Sequence, residues 1–317
     1  MNANDYLSKE EIKDLTQRSN WKAALEILDT WFWIAVAFAF VAIWPNVFTV
    51  ILSLFILGGK QLACAIIMHD TSHHSQFKSK NANVVFGNLF GAFPLFVNLS
   101  QYRPYHLKHH TRTGQDDDPD FGLTIGYPAG RKSMMRKMFR DLIGLTGIKL
   151  IIGKLLINAG LLQFNGGGGG KIEWIPKEER KGLGHLLIFA RNMIGPILFH
   201  SVMFGLLWLI GQPLLYLLWI GGYLSTYQWC LRIRSMAEHS VVPDRFDNHR
   251  NTRTTYANFI ERMLFAPHYV NYHSEHHLLM TVPCYNLPKM HRLIKERGFY
   301  EQGLLKQNYW EIIRMAT

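Results

Sequence analysis

Three short histidine clusters constrain this sequence more than any other feature. They read His69-Asp70-Thr71-Ser72-His73-His74, His106-Leu107-Lys108-His109-His110 and His273-Ser274-Glu275-His276-His277, and together they hold nine of the 15 histidines. Each cluster lies beside a strongly apolar stretch. Residues three and four positions apart share one face of a helix, so histidines within a cluster can point the same way. The pattern predicts a polynuclear metal site built against a membrane.

The number of histidines indicates more than one metal ion. Neutral imidazole is the commonest protein ligand for mid-to-late transition metals. A mononuclear structural or hydrolytic zinc site needs only about three or four protein ligands, so nine candidates exceed what one ion uses. A single cluster also fits a solvated, weakly basic surface turn. Three clusters of similar spacing favour the metal site.

The apolar residues are gathered into long blocks. Apolar residues make up 48% of the chain while the mean hydropathy is −0.01, so apolar segments must be offset by strongly polar ones. The blocks form two pairs, Leu28–Trp44 with Val47–Ile67 and Met193–Ile210 with Pro213–Cys230. Each block is long enough to cross about 30 Å of hydrocarbon as a helix. The sequence therefore predicts an all-α integral membrane protein, with four transmembrane helices in two hairpins and a helical cytoplasmic cap that holds a dinuclear metal site.

The basic residues predict the orientation of these hairpins. The net charge is +11, yet the two hairpin turns, at Pro45-Asn46 and Gly211-Gln212, contain no lysine or arginine. Basic loops stay in the cytoplasm, so we expect both termini and the metal site of this multi-pass protein to be cytoplasmic. The positive surface then faces anionic lipid headgroups. Nucleic acid is a weaker interpretation because no basic motif interleaved with aromatic residues is present.

We expect five regions along the chain. These are an amphipathic cytoplasmic N-terminal segment (1–30), a first transmembrane hairpin (31–68), a cytoplasmic or interfacial segment with the first two histidine clusters (69–192), a second hairpin (193–230) and a cytoplasmic cap with the third cluster (231–317). Ser8-Lys9-Glu10-Glu11 is typical of a capping box, and the N-terminus lacks the features of a secretory signal.

The three cysteines are too scattered for a disulfide framework or zinc knuckle, which fits a reducing cytoplasm. The run Gly166–Gly170 lacks the hydroxyl residue of a phosphate-binding loop and predicts a flexible loop.

Two interrupted apolar stretches are expected not to cross the membrane. Val84–Leu99 contains Gly87, Gly91 and Pro94, and Leu142–Leu162 contains two lysines. A single crossing by either stretch would place one histidine cluster on the opposite side from the others. Re-entrant or interfacial helices keep all three clusters on one face.

Carboxylates adjoin the histidines and are candidates for the surrounding shell. Asp70, Glu238 and Glu275 can accept hydrogen bonds from the outer ring nitrogens and offset the charge of bound cations. The run Asp116-Asp117-Asp118-Pro119-Asp120 can serve likewise or form a solvated loop.

The pattern resembles the membrane fatty acid desaturase and hydroxylase superfamily. The boxes H-x3-HH, H-x2-HH and H-x2-HH alternate with two apolar hairpins in the order typical of that superfamily. Tyr102-Arg103-Pro104-Tyr105-His106, Asn271-Tyr272-His273, Val282-Pro283 and Leu287-Pro288 look like its bacterial fatty acid desaturase branch. The resemblance covers roughly Trp31 to Arg297. It implies a non-haem diiron centre that activates O2 and removes hydrogen from an unactivated methylene.

The resemblance also implies a ligand set, with no catalytic residue beyond the ligands. The implied ligands are His69, His73, His74, His106, His109, His110, His239, His273, His276 and His277, and the implied surrounding residues are Asp70, Glu238, Glu275 and Asn271. We prefer His73 to His74 as the direct ligand, because His73 lies one helical turn from His69. Acyl-CoA desaturases carry an asparagine one turn before the equivalent of His239, where it holds a metal-bound water; this chain has Ser235 there. Of the other histidines, we expect His185, His249 and His291 to be solvent-facing or interfacial, His200 to be packed in a span, and His268 to lie outside the ligand set.

The implied activity is insertion of a C=C bond into an acyl chain, carried as an acyl lipid or an acyl thioester, with O2 and two electrons. The electrons must come from a separate ferredoxin, rubredoxin or cytochrome with its reductase, because the sequence contains no haem, flavin or iron–sulphur motif. We expect this donor to dock near Arg131–Arg140 and Lys177–Lys181. A diiron hydroxylase or ketolase of a carotenoid, alkane or sphingoid chain is the alternative. A histidine-rich metal carrier predicts polar residues that line a path along the spans, whereas the histidine clusters lie outside the spans and His200 is the only histidine within one.

Overall fold

The chain folds almost entirely into helices. The computed structural model describes residues 1–163, 173–180 and 182–317; Gly166–Gly170 and Lys181, which carried predictions above, lie outside the described residues. The α-helices are α1 (Lys9–Leu15), α2 (Asn20–Ile43), α3 (Val47–Ser72), α4 (Lys80–Gly87), α5 (Leu99–Arg112), α6 (Phe121–Thr124), α7 (Arg131–Leu142), α8 (Leu145–Asn158), α9 (Gly184–Leu209), α10 (Leu215–Leu224), α11 (Thr226–His239), α12 (Phe259–Leu264), α13 (His273–Leu278), α14 (Leu287–Glu296) and α15 (Tyr309–Met315). Two short strands, β1 (Arg253–Thr255) and β2 (Leu304–Lys306), pair in parallel.

Three helices are long and apolar enough to cross a membrane. Helices α2, α3 and α9 have 24, 26 and 26 residues, and a helix rises about 1.5 Å per residue, so each exceeds the thickness of the hydrocarbon layer. Asn46 begins α3 by accepting hydrogen bonds from the backbone N–H groups of Phe48 and Thr49, which produces the turn expected after α2.

The fourth predicted span falls on two helices rather than one. The backbone leaves helical geometry at Ser225 (φ −111°, ψ −88°), which separates the ten residues of α10 from α11. The Ser225 hydroxyl donates to the Gly221 carbonyl, and the Thr226 hydroxyl donates to the Leu54 carbonyl of α3. These bonds satisfy carbonyls at the break. The four-span topology, its orientation and the five regions remain predictions.

Helix α3 occupies the centre of the helix assembly. Of its most apolar window, 67% is buried, against 22% in α2 and 28% in α9, so α3 is the interior helix of the three. Two glycines permit close approach to it. A Cβ atom on Gly58 would lie 2.6 Å from the carbonyl carbon of Thr226, and one on Gly59 would lie 2.1 Å from the carbonyl oxygen of Met263. Helices α11 and α12 therefore pack directly against the backbone of α3.

We expect Gly59→Ala to destabilise the protein. The added methyl group meets backbone atoms of α12 that cannot rotate away, and overpacking of this kind costs roughly 1–3 kcal/mol. Gly153→Ala in α8 is the matched control, because a Cβ atom there meets nothing within 4 Å. Alanine is the better helix former, so the control should be neutral or slightly stabilising. Thermal unfolding in detergent micelles measures both, and equal unfolding temperatures would contradict the close approach.

The stretch expected to be re-entrant is sharply bent. The segment Lys80–Leu95 and helix α5 meet at 91° across a short break, where Phe96 has a left-handed backbone (φ +58°). Lys154 donates to the Leu95 carbonyl at 2.8 Å, and the Asn158 amide donates to the Phe96 carbonyl at 3.3 Å. These side chains satisfy carbonyls that the break leaves without helical partners. The bend fits a re-entrant loop and directs α5, with the second histidine cluster, away from the break.

A smaller core joins the two ends of the chain. Leu7 and Leu15 pack with buried residues of the C-terminal segment, including Met290 and Phe299. The predicted capping box at the start of α1 is present, because Ser8 and Glu11 exchange hydrogen bonds. This core holds α13 and α14 against the N-terminal segment.

Candidate metal centre

The three histidine clusters converge, together with the end of α11, into two groups. The first histidine group consists of His69, His73, His106, His110 and His276, and the second consists of His109, His239, His273 and His277. Within each group, one ring nitrogen from every histidine lies within 4.8 Å of the others. All nine side chains are buried or half-buried. Two sets of converging imidazoles are the donor arrangement expected for two transition-metal ions.

Helix geometry divides the clusters between the groups. His106 and His110 lie four residues apart on α5 and join the first group, whereas His109 points to the second. Helix α13 divides in the same way: His276 joins the first group, while His273 and His277, four residues apart, join the second. Because both helices supply both groups, the two groups adjoin, and the rings of His110 and His277 stack with centroids 4.3 Å apart.

The spacing of the ring nitrogens fits metal coordination. The Nε2 atom of His106 lies 2.9 Å from that of His73 and 3.1 Å from that of His110. In the second group, the Nε2 atoms of His273 and His239 are 2.8 Å apart. Two nitrogens that bind one ion at roughly 2.1 Å and at right angles lie about 3 Å apart. The observed distances match that value.

Buried ring nitrogens provide a second test of the fit. Within the described part of the chain, His69 Nε2 and His277 Nε2 are buried and have no hydrogen-bond partner. A buried polar atom without a partner is costly, so such atoms call for a ligand or an ordered water. A bound metal ion in each group would satisfy both nitrogens.

Three of the grouped histidines outside the long helices, His239, His276 and His277, are held neutral. Burial, reinforced by neighbouring histidines, keeps the pKa of His276 and that of His277 well below the usual value. Burial also lowers the pKa of His239 to about 3. Only neutral imidazole has a lone pair for a metal. These three rings can therefore bind cations at neutral pH without first releasing a proton, whereas the carboxylates of Asp120 and Asp118 outweigh burial and raise the pKa of His109.

Outer hydrogen bonds fix the orientation of one ring from each of three helices. Asp70 accepts from His69 Nδ1 at 2.6 Å, and Asp118 accepts from His109 Nδ1 at 2.8 Å. The carbonyl oxygen of Asn251 accepts from His239 Nδ1 at 3.0 Å. Each bond places the proton on Nδ1 and turns Nε2 towards the other histidines.

Three other residues were expected to surround the site, and in the structure their side chains bond mainly to residues outside the two histidine groups. Glu238 pairs with Arg234 at 2.6 Å and lies 3.5 Å from His273 Nδ1. Glu275 is fully buried and accepts from Thr254, His291 and Tyr300 rather than from a grouped histidine. The Asn271 amide donates to the Thr255 carbonyl. Glu275 and Asn271 thus fix the segment that carries the third cluster.

Several histidines lie outside both groups. His74 has a left-handed backbone (φ +55°) and is absent from the converging sets, whereas its neighbour His73 belongs to the first. His268 bonds to Glu26 and Thr30. His200 stacks on Phe96 within a long helix, as expected of a packed residue.

One expectation about the remaining histidines was wrong. His291 is buried rather than solvent-facing, because its Nδ1 donates to Glu275 at 2.5 Å and its Nε2 meets the Tyr256 hydroxyl at 3.0 Å. Nothing in the local sequence indicates this contact, since Glu275 lies 16 positions before His291. At the position where acyl-CoA desaturases carry an asparagine, the Ser235 hydroxyl donates to the Leu231 carbonyl of its own helix.

Comparisons with known proteins agree with this geometry. The model of the family described as fatty acid desaturase matches residues 42–310, a range that includes all nine grouped histidines. The chain is 28% identical over 254 residues to the dihydrorhizobitoxine desaturase of Bradyrhizobium elkanii, and this match covers 76% of the chain and 66% of that protein. It is 22% identical over 275 residues to the sn-1 oleoyl-lipid 12-desaturase of Picosynechococcus sp., covering 83% of the chain and 74% of that protein. The match to the first relative thus spans just under two thirds of that relative's length.

Proposed function

Since the chain belongs to the fatty acid desaturase family, we propose that it is a membrane-bound diiron desaturase that inserts a C=C bond into an acyl chain. Overall, O2 would receive four electrons: two from the substrate as two C–H bonds break, and two from a separate donor. With two protons from the medium, the products are the alkene and two waters. The observation that carries the proposal is the convergence of nine imidazoles into two adjoining groups.

The donor set fits iron in both groups. Imidazole suits iron, and nine histidines in two groups are more than one structural zinc site uses. Two iron ions, when bound, would supply the O2 activation that attack on an unactivated methylene requires. The chain's own contribution is to hold and orient the imidazoles. Asp70 and Asp118 keep the rings of His69 and His109 turned inward, and six of the nine histidines are buried, which limits their contact with bulk water.

A cavity offers access to the second histidine group. It has a volume of about 560 Å³, and its lining includes His239, Asp118, Tyr127, Arg245 and Phe246. The lining mixes aromatic and polar side chains, which suits an amphiphilic substrate with an apolar chain and a polar head. The name of the second relative, an oleoyl-lipid desaturase, supports an acyl lipid over an acyl thioester.

The setting proposed for the enzyme is the cytoplasmic face of the bacterial inner membrane. Helices α2, α3 and α9 and the broken pair of α10 and α11 would make the four crossings of a multi-pass arrangement, and the basic segments would remain inside. Electrons would come from a ferredoxin, rubredoxin or cytochrome with its reductase. The convergence of histidines at one buried place, rather than along a path through the long helices, favours an enzyme over a metal carrier.

Product analysis tests the proposal. Lipid extracts from cells that express the chain, examined by mass spectrometry, should contain acyl chains that have lost two hydrogens. A gain of one oxygen would indicate the hydroxylase or ketolase instead. Protein purified without oxygen should contain two irons per chain, and one zinc per chain would contradict the diiron mechanism.

A further inference from the structure

Arg253 is a buried arginine whose hydrogen bonds all go to backbone carbonyls at one helix end. It is the first residue of β1 and is 2% exposed. One terminal nitrogen donates to the carbonyls of Ala237 and Met236 at 3.2 and 3.5 Å. The other donates to those of Ser240 and Val241 at 3.0 and 2.9 Å. All four carbonyls belong to the last turn of α11 or to the residues directly after it.

These bonds replace the usual end of a helix. The last carbonyls of a helix have no intrahelical partner and are commonly satisfied by a following glycine in the left-handed region. Here Val241, not glycine, takes that backbone conformation (φ +52°), a strained choice for a β-branched residue. A positive guanidinium is also favoured at the negative end of the helix dipole. Arg253 therefore stabilises the end of α11, which lacks the usual glycine cap.

That helix end carries a metal-group histidine. His239 is the last residue of α11 and belongs to the second histidine group. The segment that contains Arg253 also fixes its ring, because the Asn251 carbonyl accepts from His239 Nδ1. The position of His239 thus depends on residues 251–253 through both its backbone and its ring.

The same segment also contacts the residues around α13, which supplies two other histidines of the second group. The Thr254 hydroxyl donates to Glu275 at 2.5 Å, and the Ser274 N–H donates to that hydroxyl at 3.2 Å. The Thr255 N–H donates to the Asn271 carbonyl at 3.0 Å. Strand β1 therefore connects the end of α11 with the helix that presents His273 and His277.

We propose that Arg253 is a positioning residue for the second histidine group, and that it sets the affinity of that group for its metal ion. The inference rests on the proposed dinuclear centre. Most histidines of the first group come from α3 and α5, which Arg253 does not contact through any hydrogen bond in the described residues. Replacing Arg253 should therefore weaken one of two metal ions and spare the other.

The test is a titration of metal-free protein with Co²⁺, with visible absorption following each ion as it binds. Arg253→Met removes every hydrogen bond, and Arg253→Lys keeps the charge but loses the planar fork that serves several carbonyls. We expect one of the two ions to bind roughly 10–100-fold more weakly in Arg253→Met, as when other residues that hold metal ligands in place are replaced. Arg253→Lys should give a smaller change at the same ion. The other ion, which the first histidine group would hold, should bind as in the unmodified protein.

Arg297→Met is the matched control, because Arg297 lies at the surface and pairs with Glu11 at 2.7 Å rather than with a helix end that carries a grouped histidine. It should leave both affinities unchanged. Unchanged affinities in Arg253→Lys and Arg253→Met, or equal weakening of both ions, would overturn the inference. If Arg253→Met fails to fold, the site-selective change in Arg253→Lys decides the matter. An unmodified chain that binds fewer than two ions would overturn the dinuclear centre itself, and the inference with it.

Discussion

His109→Ala and His276→Ala should each abolish desaturation while leaving the chain folded and inserted in the membrane. The two residues belong to different histidine groups, so each change would remove a proposed ligand of a different ion. His276 Nε2 lies 3.1 Å from His110 Nε2, and the His109 ring is fixed by Asp118. Loss of an outer-shell partner already costs 10–100-fold, so loss of a ligand should lower turnover by at least about 100-fold. Mass spectrometry of lipid products measures the activity, and metal analysis of the purified variants measures the occupancy.

His185→Ala is the control for this pair. His185 Nδ1 bonds to the Ala159 carbonyl, and the residue belongs to neither histidine group. Its replacement should leave activity close to that of the unmodified chain. Comparable activity in all three variants would refute the assignment of His109 and His276 as ligands.

The spacing of histidines predicted the local part of this site well, because helix periodicity alone decides it. His106 and His110 share a face of α5, as do His273 and His277 on α13, and in each pair both rings reach the same group. One turn also separates His69 from His73, and the structure places His73, not His74, in the first group. A period of 3.6 residues can be read from the sequence without knowledge of the fold.

The sequence did not predict the contacts between distant segments of the chain. The link from Arg253 to the end of α11 spans up to 17 residues, and that from Thr254 to Glu275 spans 21. The sequence predicted that His291 faces solvent, whereas the fold brings it against Glu275, 16 positions earlier. The break at Ser225 was also not predicted, because polar residues such as Ser225, Thr226 and Gln228 do not by themselves end a helix. Packing against α3, through Gly58 and Thr226, decides that feature.

The acidic run after the second cluster shows where a sequence pattern leaves two interpretations open. Both interpretations hold, for different residues. Asp118 has a side chain that is 5% exposed and bonds to His109, whereas that of Asp117 is 50% exposed and pairs with Arg112 at 2.7 Å. Asp118 also accepts from the backbone N–H groups of Gly114 and Asp120, at 2.9 Å each. One carboxylate therefore organises the loop around a ligand, and its neighbour is part of a solvated ion pair.

Asp118→Asn should lower the affinity for the ion of the second histidine group by roughly 10–100-fold, with a comparable loss of activity. The amide has the shape of the carboxylate but no negative charge, so it supports the His109 ring less strongly and offsets less of the charge of the cation. Asp117→Asn is the matched control: an identical chemical change one residue away, at an exposed ion pair that contributes little. Metal titration and product analysis should therefore separate the two variants clearly. Equal behaviour of the two would mean that the hydrogen bond between Asp118 and His109 does not tune the site, and that the ring is held by its helix alone.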